Sequence, residues 1–299
     1  LRILAPIALF VYARPDHTRR TVEALKENYL AAESDLYIFS DAARDRSTEA
    51  AVTEVRKYVS AITGFRSVKI VEREKNYGLA PSIIDGVTTL VNIHGKVIVL
   101  EDDLVTSKYF LQFMNDGLEM YQQDQEVISI HGYVYPVTAA LPETFFICGA
   151  DCWGWATWKR GWDLFEPDGS KLLNELMTQQ REYTFDWDGT YGNIKMLQHQ
   201  ISGKVNSWAI RWHASAFLQN KLTLYPGVSL VNNIGGDALG THTKSLTAFQ
   251  GSVATAPLNV SRIPLQENNE ARNAFVSFFG SIRQPLFRRI FKRLTTIFS

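Results

Sequence analysis

The chain has 299 residues, 45% hydrophobic and 21% charged, enough apolar material to bury the core of one large domain or of a domain with a smaller lobe. Its 31 Lys and Arg are balanced by 31 Asp and Glu, and a chain without a net positive field is a poor candidate for bulk nucleic-acid binding, which needs that field to neutralise phosphates. Cys148 and Cys152 cannot build a four-sulfur zinc site and no histidine pair stands near them at finger spacing, so a reducing compartment is the simplest reading.

The opening apolar run to Tyr12 is too short to span a bilayer, which takes about 20 residues. It passes straight into Arg14-Pro15-Asp16-His17-Thr18, a helix start, and so reads as a first buried strand. Asp16 is placed to cap a helix carrying Val22, Leu25 and Tyr29 on one face, and Leu36–Phe39 is a second strand ending at Ser40-Asp41. Thr48 to Ile62 has helical periodicity, Val68–Val71 is a strand, and Asn76-Tyr77-Gly78 breaks the chain before a helix from about Pro81 to Val91. Next comes Val97-Ile98-Val99-Leu100, a short apolar run of the kind buried in parallel sheets, which feeds directly into Glu101-Asp102-Asp103. Phe110, Phe113, Met114, Gly117, Leu118 and Tyr121 mark one face of the helix that follows.

Strands alternating with helices predict an α/β fold with a mostly parallel sheet and helices on both faces. Arg14, Asp41, Asn76 and the three acids all fall just after a strand, at the edge where open α/β sheets bind ligands. Three adjacent carboxylates repel one another and cannot all enter a dry core, so at least one faces a cation or water. No G-x-G-x-x-G or G-x-x-x-x-G-K-[ST] follows the first strand, which leaves a nucleotide bound without a glycine loop, its diphosphate neutralised by a divalent cation.

The order of Arg14, Ser40-Asp41 and Glu101-Asp102-Asp103-Leu104 before a Phe-rich helix resembles the GT-A glycosyltransferases of the N-acetylglucosaminyltransferase I type and their bacterial relatives. Cys152-Trp153-Gly154-Trp155-Ala156-Thr157-Trp158 is similar to the acceptor-side Gly-Trp segment of that group, and Asn232-Asn233-Ile234-Gly235 with Gly240-Thr241-His242 to its closing segment. The resemblance implies a GT-A-like fold and a nucleotide-sugar donor, most simply a UDP-sugar. Asp41 would accept from the base, Arg14 would lie beside base or diphosphate, Asn76, Glu101 and Asp102 would line the donor site, and Asp103 would ligate Mn²⁺ or Mg²⁺, with His242 on the metal or the diphosphate. Asp41 also suits a turn cap and Arg14 a surface ion pair.

One departure from the family pattern concerns the base that deprotonates the acceptor. Many bacterial relatives carry Asp after the first Trp of Ser207-Trp208-Ala209-Ile210-Arg211-Trp212; here the position is Ala209, which takes no proton. Asp188 is the first replacement by sequence, then Asp186, with Asp151 and Asp237 behind them. All seven tryptophans lie in the second half. Indole faces stack on the C–H faces of sugars, so Asp151, Trp153, Trp155 and Trp208 are expected on the acceptor side, with most of the tryptophans in the core.

The domain reading is one GT-A-like unit over 1–258, its nucleotide-sugar half 1–132 and its acceptor half 133–258, followed by an extension over 259–299. From Ala271 onward there is no acid but six basic residues, and Phe287, Ile290, Phe291, Leu294, Ile297 and Phe298 recur opposite Arg288, Arg289, Lys292 and Arg293 at helical spacing. Such a helix lies in an anionic membrane interface or packs on its own core. The expectation is a cytoplasmic enzyme, peripheral on the inner membrane, acting on a glycan or lipid-linked acceptor with inversion. The rival readings are a catalytically inactive glycan or nucleotide-sugar binder, motivated by Ala209, and a sugar-phosphate nucleotidyltransferase. The latter normally carries a Gly-rich loop and a Lys near the first strand, and neither is present.

Overall fold

The computed structural model describes residues 2–236 and 248–282. In chain order the first half contains β1 (Ile7–Val11), α1 (Pro15–Lys26), β2 (Asp35–Ser40), α2 (Arg46–Val59), β3 (Ser67–Glu72), α3 (Leu79–His94), β4 (Lys96–Glu101), β5 (Leu104–Thr106) and α4 (Phe110–Met120). The second half contains β6 (Val127–His131), β7 (Thr144–Cys148), β8 (Trp155–Trp158), α5 (Lys159–Trp162), α6 (Gly169–Thr178), α7 (Glu182–Phe185), α8 (Asn193–Ile201), α9 (Trp208–Leu218), β9 (Leu222–Pro226), β10 (Val231–Asn233) and α10 (Asn269–Ile282).

Eight strands form one sheet in the order β3-β2-β1-β4-β8-β6-β9-β7, while β10 pairs with β5 in a small second sheet. The predicted α/β architecture is therefore present, and its first four strands are all parallel. Antiparallel pairing enters through β8, which is wedged between β4 and β6, and again at β7 against β9. Every residue of β1 is buried, as expected for a central strand covered on both faces. Helices α1 and α4 share one core with Leu9, Ile38 and Leu100, and α3 and α9 share the other with Phe10, Val99 and Trp155.

The helix starts differ in detail from expectation. Asp16 does not cap α1: the N-cap is Arg14, Pro15 opens the helix with its φ already fixed, and Asp16 sits in the first turn. Tyr29 lies past the end of α1 and is largely exposed. Helix α2 begins before Thr48, because Asp45 caps it and Thr48 closes a reciprocal capping box.

Register sets the level of the ligand edge. Val11 stands opposite Ser40 and Phe10 opposite Glu101, so the chain leaves β1, β2 and β4 at one height, carrying Tyr12 to Arg14, Asp41 and the remaining acids to the same side.

Candidate active site

Two cavities meet at this edge. The first, about 260 Å³, lies over the ends of β1, β2 and β4, with Tyr12, Arg44, Asn76 and Ser82 among its walls. The second, about 340 Å³, is bounded by Asp103, Trp153, Trp208, Asn233 and Gly235. Arg14, Leu79 and Glu101 line both, so the guanidinium of Arg14 stands at their junction.

Arg14 Nη1 donates to Asp103 Oδ2 at 2.7 Å and lies 3.8 Å from Asp102 Oδ1. Two carboxylates thus converge on one guanidinium, and Glu101 acts on it electrostatically from nearby. Desolvation pushes Glu101 up to about 8, with repulsion from Asp103 and Asp102 adding to it, and desolvation and Asp103 push Asp102 up to about 7. Burial works against the charge on Arg14, but the surrounding acids outweigh it and raise its pKa. Asp102 is pinned from the backbone side, its carbonyl accepting from Thr21 Oγ1 at 2.8 Å and its carboxylate from Tyr12 N at 3.4 Å.

Asp103 is covered by the segment after β10. Ile234 N donates to the Asp103 carbonyl at 2.8 Å, and a Cβ on Gly235 would fall 2.2 Å from Asp103 Oδ2, so a larger residue there would push this carboxylate aside. His242, and the Gly240-Thr241 before it, lie outside the described residues.

Asp41 plays a different part from the one expected. Oδ1 accepts from Ala42 N at 2.9 Å and Tyr77 N at 2.8 Å, and Oδ2 from Gly78 N at 2.9 Å and Asn76 Nδ2 at 3.0 Å. A carboxylate has about four acceptor sites, and these bonds occupy them as the turn-cap alternative requires, in a residue that also lines the first cavity. Asn76 is likewise committed, to Asp41 and to the Ala42 carbonyl at 2.8 Å. Together they hold the 76–78 turn, where Gly78 adopts φ +75° and starts α3. In Asp41→Asn the amide N–H₂ faces backbone donors, leaving buried donors unpaired at a cost of about 1–3 kcal/mol; a lowered denaturant midpoint at unchanged slope is the expected result.

On the acceptor side the candidate base Asp188 does not join the cleft. It forms a two-pronged ion pair with Arg272, at 2.8 and 2.7 Å, and that guanidinium holds its carboxyl below the usual range. Asp186 is also used elsewhere: its Oδ1 accepts from Ile194 N at 2.7 Å and caps the first turn of α8. Trp155 is corrected to a core residue, fully buried and packed against Trp162, Trp208 and Trp212. Trp153 and Trp208 do reach the second cavity, although Trp208 is only 3% exposed.

A third cavity, about 160 Å³, adjoins the second through the shared walls Cys152, Met196, Ser207 and Ala209. Asp151 lines it, with its Oδ2 accepting from Tyr135 Oη at 2.7 Å and Tyr225 Oη at 3.4 Å.

No protein-family model and no curated protein sequence matches the chain. Among solved structures, mannosyltransferase PcManGT from Pyrobaculum calidifontis, in complex with GDP-Man and Mn²⁺, is 14% identical over 45% of this chain and 36% of its own, with a TM-score of 0.32. TarS of S. aureus is 13% identical over 50% of this chain and 25% of its own, at TM-score 0.33. A UDP-glucose pyrophosphorylase complexed with UDP-glucose is 12% identical over 75% of this chain and 90% of its own, at TM-score 0.36. The structural neighbours are thus glycosyltransferases and a nucleotidyltransferase, and the chain matches only about a third and a quarter of the length of the first two. At such identities and scores the likeness transfers no chemistry, which has to come from the site itself.

Several wall residues have no local sequence signal. Tyr12 is one: its hydroxyl accepts from Arg44 N at 3.0 Å and donates to Thr48 Oγ1 at 3.2 Å, tying the rim of the first cavity to the start of α2. The tyrosines of the third cavity are another group, since Tyr135, Tyr191 and Tyr225 come from three separate parts of the chain.

Proposed function

We propose that the protein is a metal-dependent glycosyltransferase that moves a sugar from a nucleotide-diphosphate donor, a UDP-sugar, to a hydroxyl of a glycan or lipid-linked acceptor, with inversion at the anomeric carbon. The observation that carries the reading is the convergence of Asp102 and Asp103 on a single guanidinium, with Glu101 beside it in the wall, at the junction of two cavities. The charged forms of Glu101 and Asp102 are disfavoured by burial and by repulsion from their neighbours, which a divalent cation would relieve, and hard oxygen donors are the set that Mn²⁺ or Mg²⁺ takes. Among the described residues no three ligating side chains close around one point, so Asp103 would share the ion with diphosphate oxygens and water. When bound, the ion supplies Lewis-acid stabilisation of the departing diphosphate.

The chain's own residues do the remainder. The first cavity, walled by Tyr12, Arg44, Asn76 and Ser82, takes the nucleoside. Arg14 lies at the boundary where a diphosphate bridging the two cavities would run, and offers it a charge-assisted hydrogen bond. The second cavity takes the donor sugar beside Asp103, and the acceptor enters from the side of Trp153, Trp208 and Asp151. In this reading residues 1–132 bind the donor and 133–258 the acceptor.

A panel of UDP- and GDP-sugars incubated with Mn²⁺, with a chelated control, tests the proposal. Metal-dependent release of the nucleoside diphosphate supports it, and nucleotide binding without release supports the inactive-binder reading instead. The basic amphipathic segment beyond Pro285 lies outside the described residues, and no described helix is long and apolar enough to cross a membrane. Its pattern supports a peripheral station on an anionic, cytoplasmic membrane face, which flotation of the full chain and of a form ending at Gln284 on anionic liposomes would test.

A further inference from the structure

We infer that Asp151 takes the proton from the acceptor hydroxyl, and that the third cavity beyond it is an acceptor subsite for a single sugar ring. The inference rests on the glycosyltransferase reading and adds to it the residue that Ala209 cannot supply.

Elimination among the acids of the described residues gives the first argument; Asp237 lies outside them. Asp41 has its acceptor sites filled, Asp188 is locked to Arg272, Asp186 caps α8, and Asp103 is engaged by Arg14. Asp102 lines the first cavity, and Glu101 stands with Arg14 at the junction where the diphosphate would run. Asp151 is only partly buried and accepts from Cys152 N at 2.8 Å on Oδ1, from Tyr135 Oη at 2.7 Å and, weakly, from Tyr225 Oη at 3.4 Å on Oδ2. With about four acceptor sites on a carboxylate, it retains capacity for an incoming O–H.

Position gives the second. Ala209 lines both the second and third cavities, so the spot where a carboxylate is missing opens onto the cavity that Asp151 faces. Cys152, the next residue, lines both as well, and its thiol is raised by burial first, then by Asp151, Glu101 and Asp103. Asp151 therefore shares a neighbourhood with the acids at the end of β4.

The shape of the cavity names the ligand class. At about 160 Å³ it is close to the roughly 150 Å³ that admits one six-membered ring. Tyr135, Tyr191, Tyr225 and Trp187 give it aromatic surface for the C–H face of a pyranose, while Asp151, Asn193 and Ser207 are its polar points. In the step itself the acceptor O–H proton passes to the Asp151 carboxylate and the acceptor oxygen bonds to the anomeric carbon. The anomeric C–O bond breaks, its electron pair leaving with the diphosphate.

The test is Mn²⁺-dependent release of nucleoside diphosphate from the donor panel, with p-nitrophenyl hexosides as acceptors and with water as acceptor in their absence. Asp151→Asn is expected to lower kcat by about 100-fold or more, the range of a lost general base, with donor KM and Mn²⁺-UDP affinity within twofold. Full rate in this variant overturns the inference and leaves the glycosyltransferase reading standing. A wild-type protein that binds no nucleotide and releases none overturns that reading itself. Should the Asn variant not fold, Asp151→Glu decides: it keeps the charge but displaces the oxygens by one methylene, so a rate loss of tenfold or more at unchanged UDP affinity supports the assignment and an unchanged rate contradicts it.

Discussion

Replacing Asp103 by alanine is expected to abolish donor turnover while leaving the fold in place. Among the described residues the side chain bonds Arg14 Nη1 and lies against Gly235, while the hydrogen bond that holds the β10 segment uses the Asp103 main-chain carbonyl and survives the substitution. Removing one acid from a repelling group lowers the electrostatic cost of the apo site, offsetting the lost ion pair. Catalysis loses far more. A metal ligand contributes several kcal/mol of transition-state stabilisation, and about 4 kcal/mol is roughly a thousandfold in rate. The kinetic signature is a collapse of kcat that added Mn²⁺ does not restore, together with an unfolding midpoint within a few degrees of wild type. Activity persisting without metal in this variant would contradict the metal reading.

The largest effect on stability is expected at Trp155. This residue begins β8, pairs opposite Val99 of β4, and sits in the layer between the sheet and α9. It is fully buried, with ring centroids 5.7 Å from Trp162, 5.4 Å from Trp208 and 5.7 Å from Trp212. Trp155→Ala leaves a cavity in a layer of rigid rings that cannot collapse into it, at about 3–5 kcal/mol, a large fraction of the roughly 5–15 kcal/mol that separates folded from unfolded states. Trp153→Ala is the internal comparison. That ring is only partly buried, lines the second cavity and packs on Tyr133 at 4.6 Å, so its loss should cost less stability and act mainly on KM for the acceptor. Chemical denaturation of the two variants side by side checks the contrast, and equal destabilisation would contradict it.

The first half of the chain was legible because its signals are local. An apolar β-branched run followed at once by acids describes both the buried strand β4 and the edge where it ends, and the strand–helix alternation from β1 to α4 follows from periodicity alone. Asp41 was ambiguous for a physical reason: the same side chain that can accept from a ligand accepts equally well from the backbone amides of a turn, and the turn here comes from residues 35 positions or more further on. The second half was less legible because its partners are distant. Asp188 looks available until Arg272, 84 positions away, arrives on α10. Trp153 and Trp155 are two apart in sequence, yet Gly154 at φ +66° turns the chain between them, sending one to the cleft and the other to the core. The pairing of β8 between β4 and β6, which gives the sheet its antiparallel section, is likewise a non-local choice that no strand announces by itself.

The central claim is that the acids at the end of β4 hold a cation against a nucleotide diphosphate. Anomalous diffraction from crystals grown with Mn²⁺ and UDP tests it most directly. The account predicts a manganese peak within about 2.0–2.6 Å of an Asp103 carboxylate oxygen, the hard-cation range, with diphosphate oxygens completing the shell and the uracil in the cavity beside Tyr12 and Asn76. Ordered UDP with its diphosphate directed away from Asp103, or a manganese site elsewhere on the molecule, would contradict it.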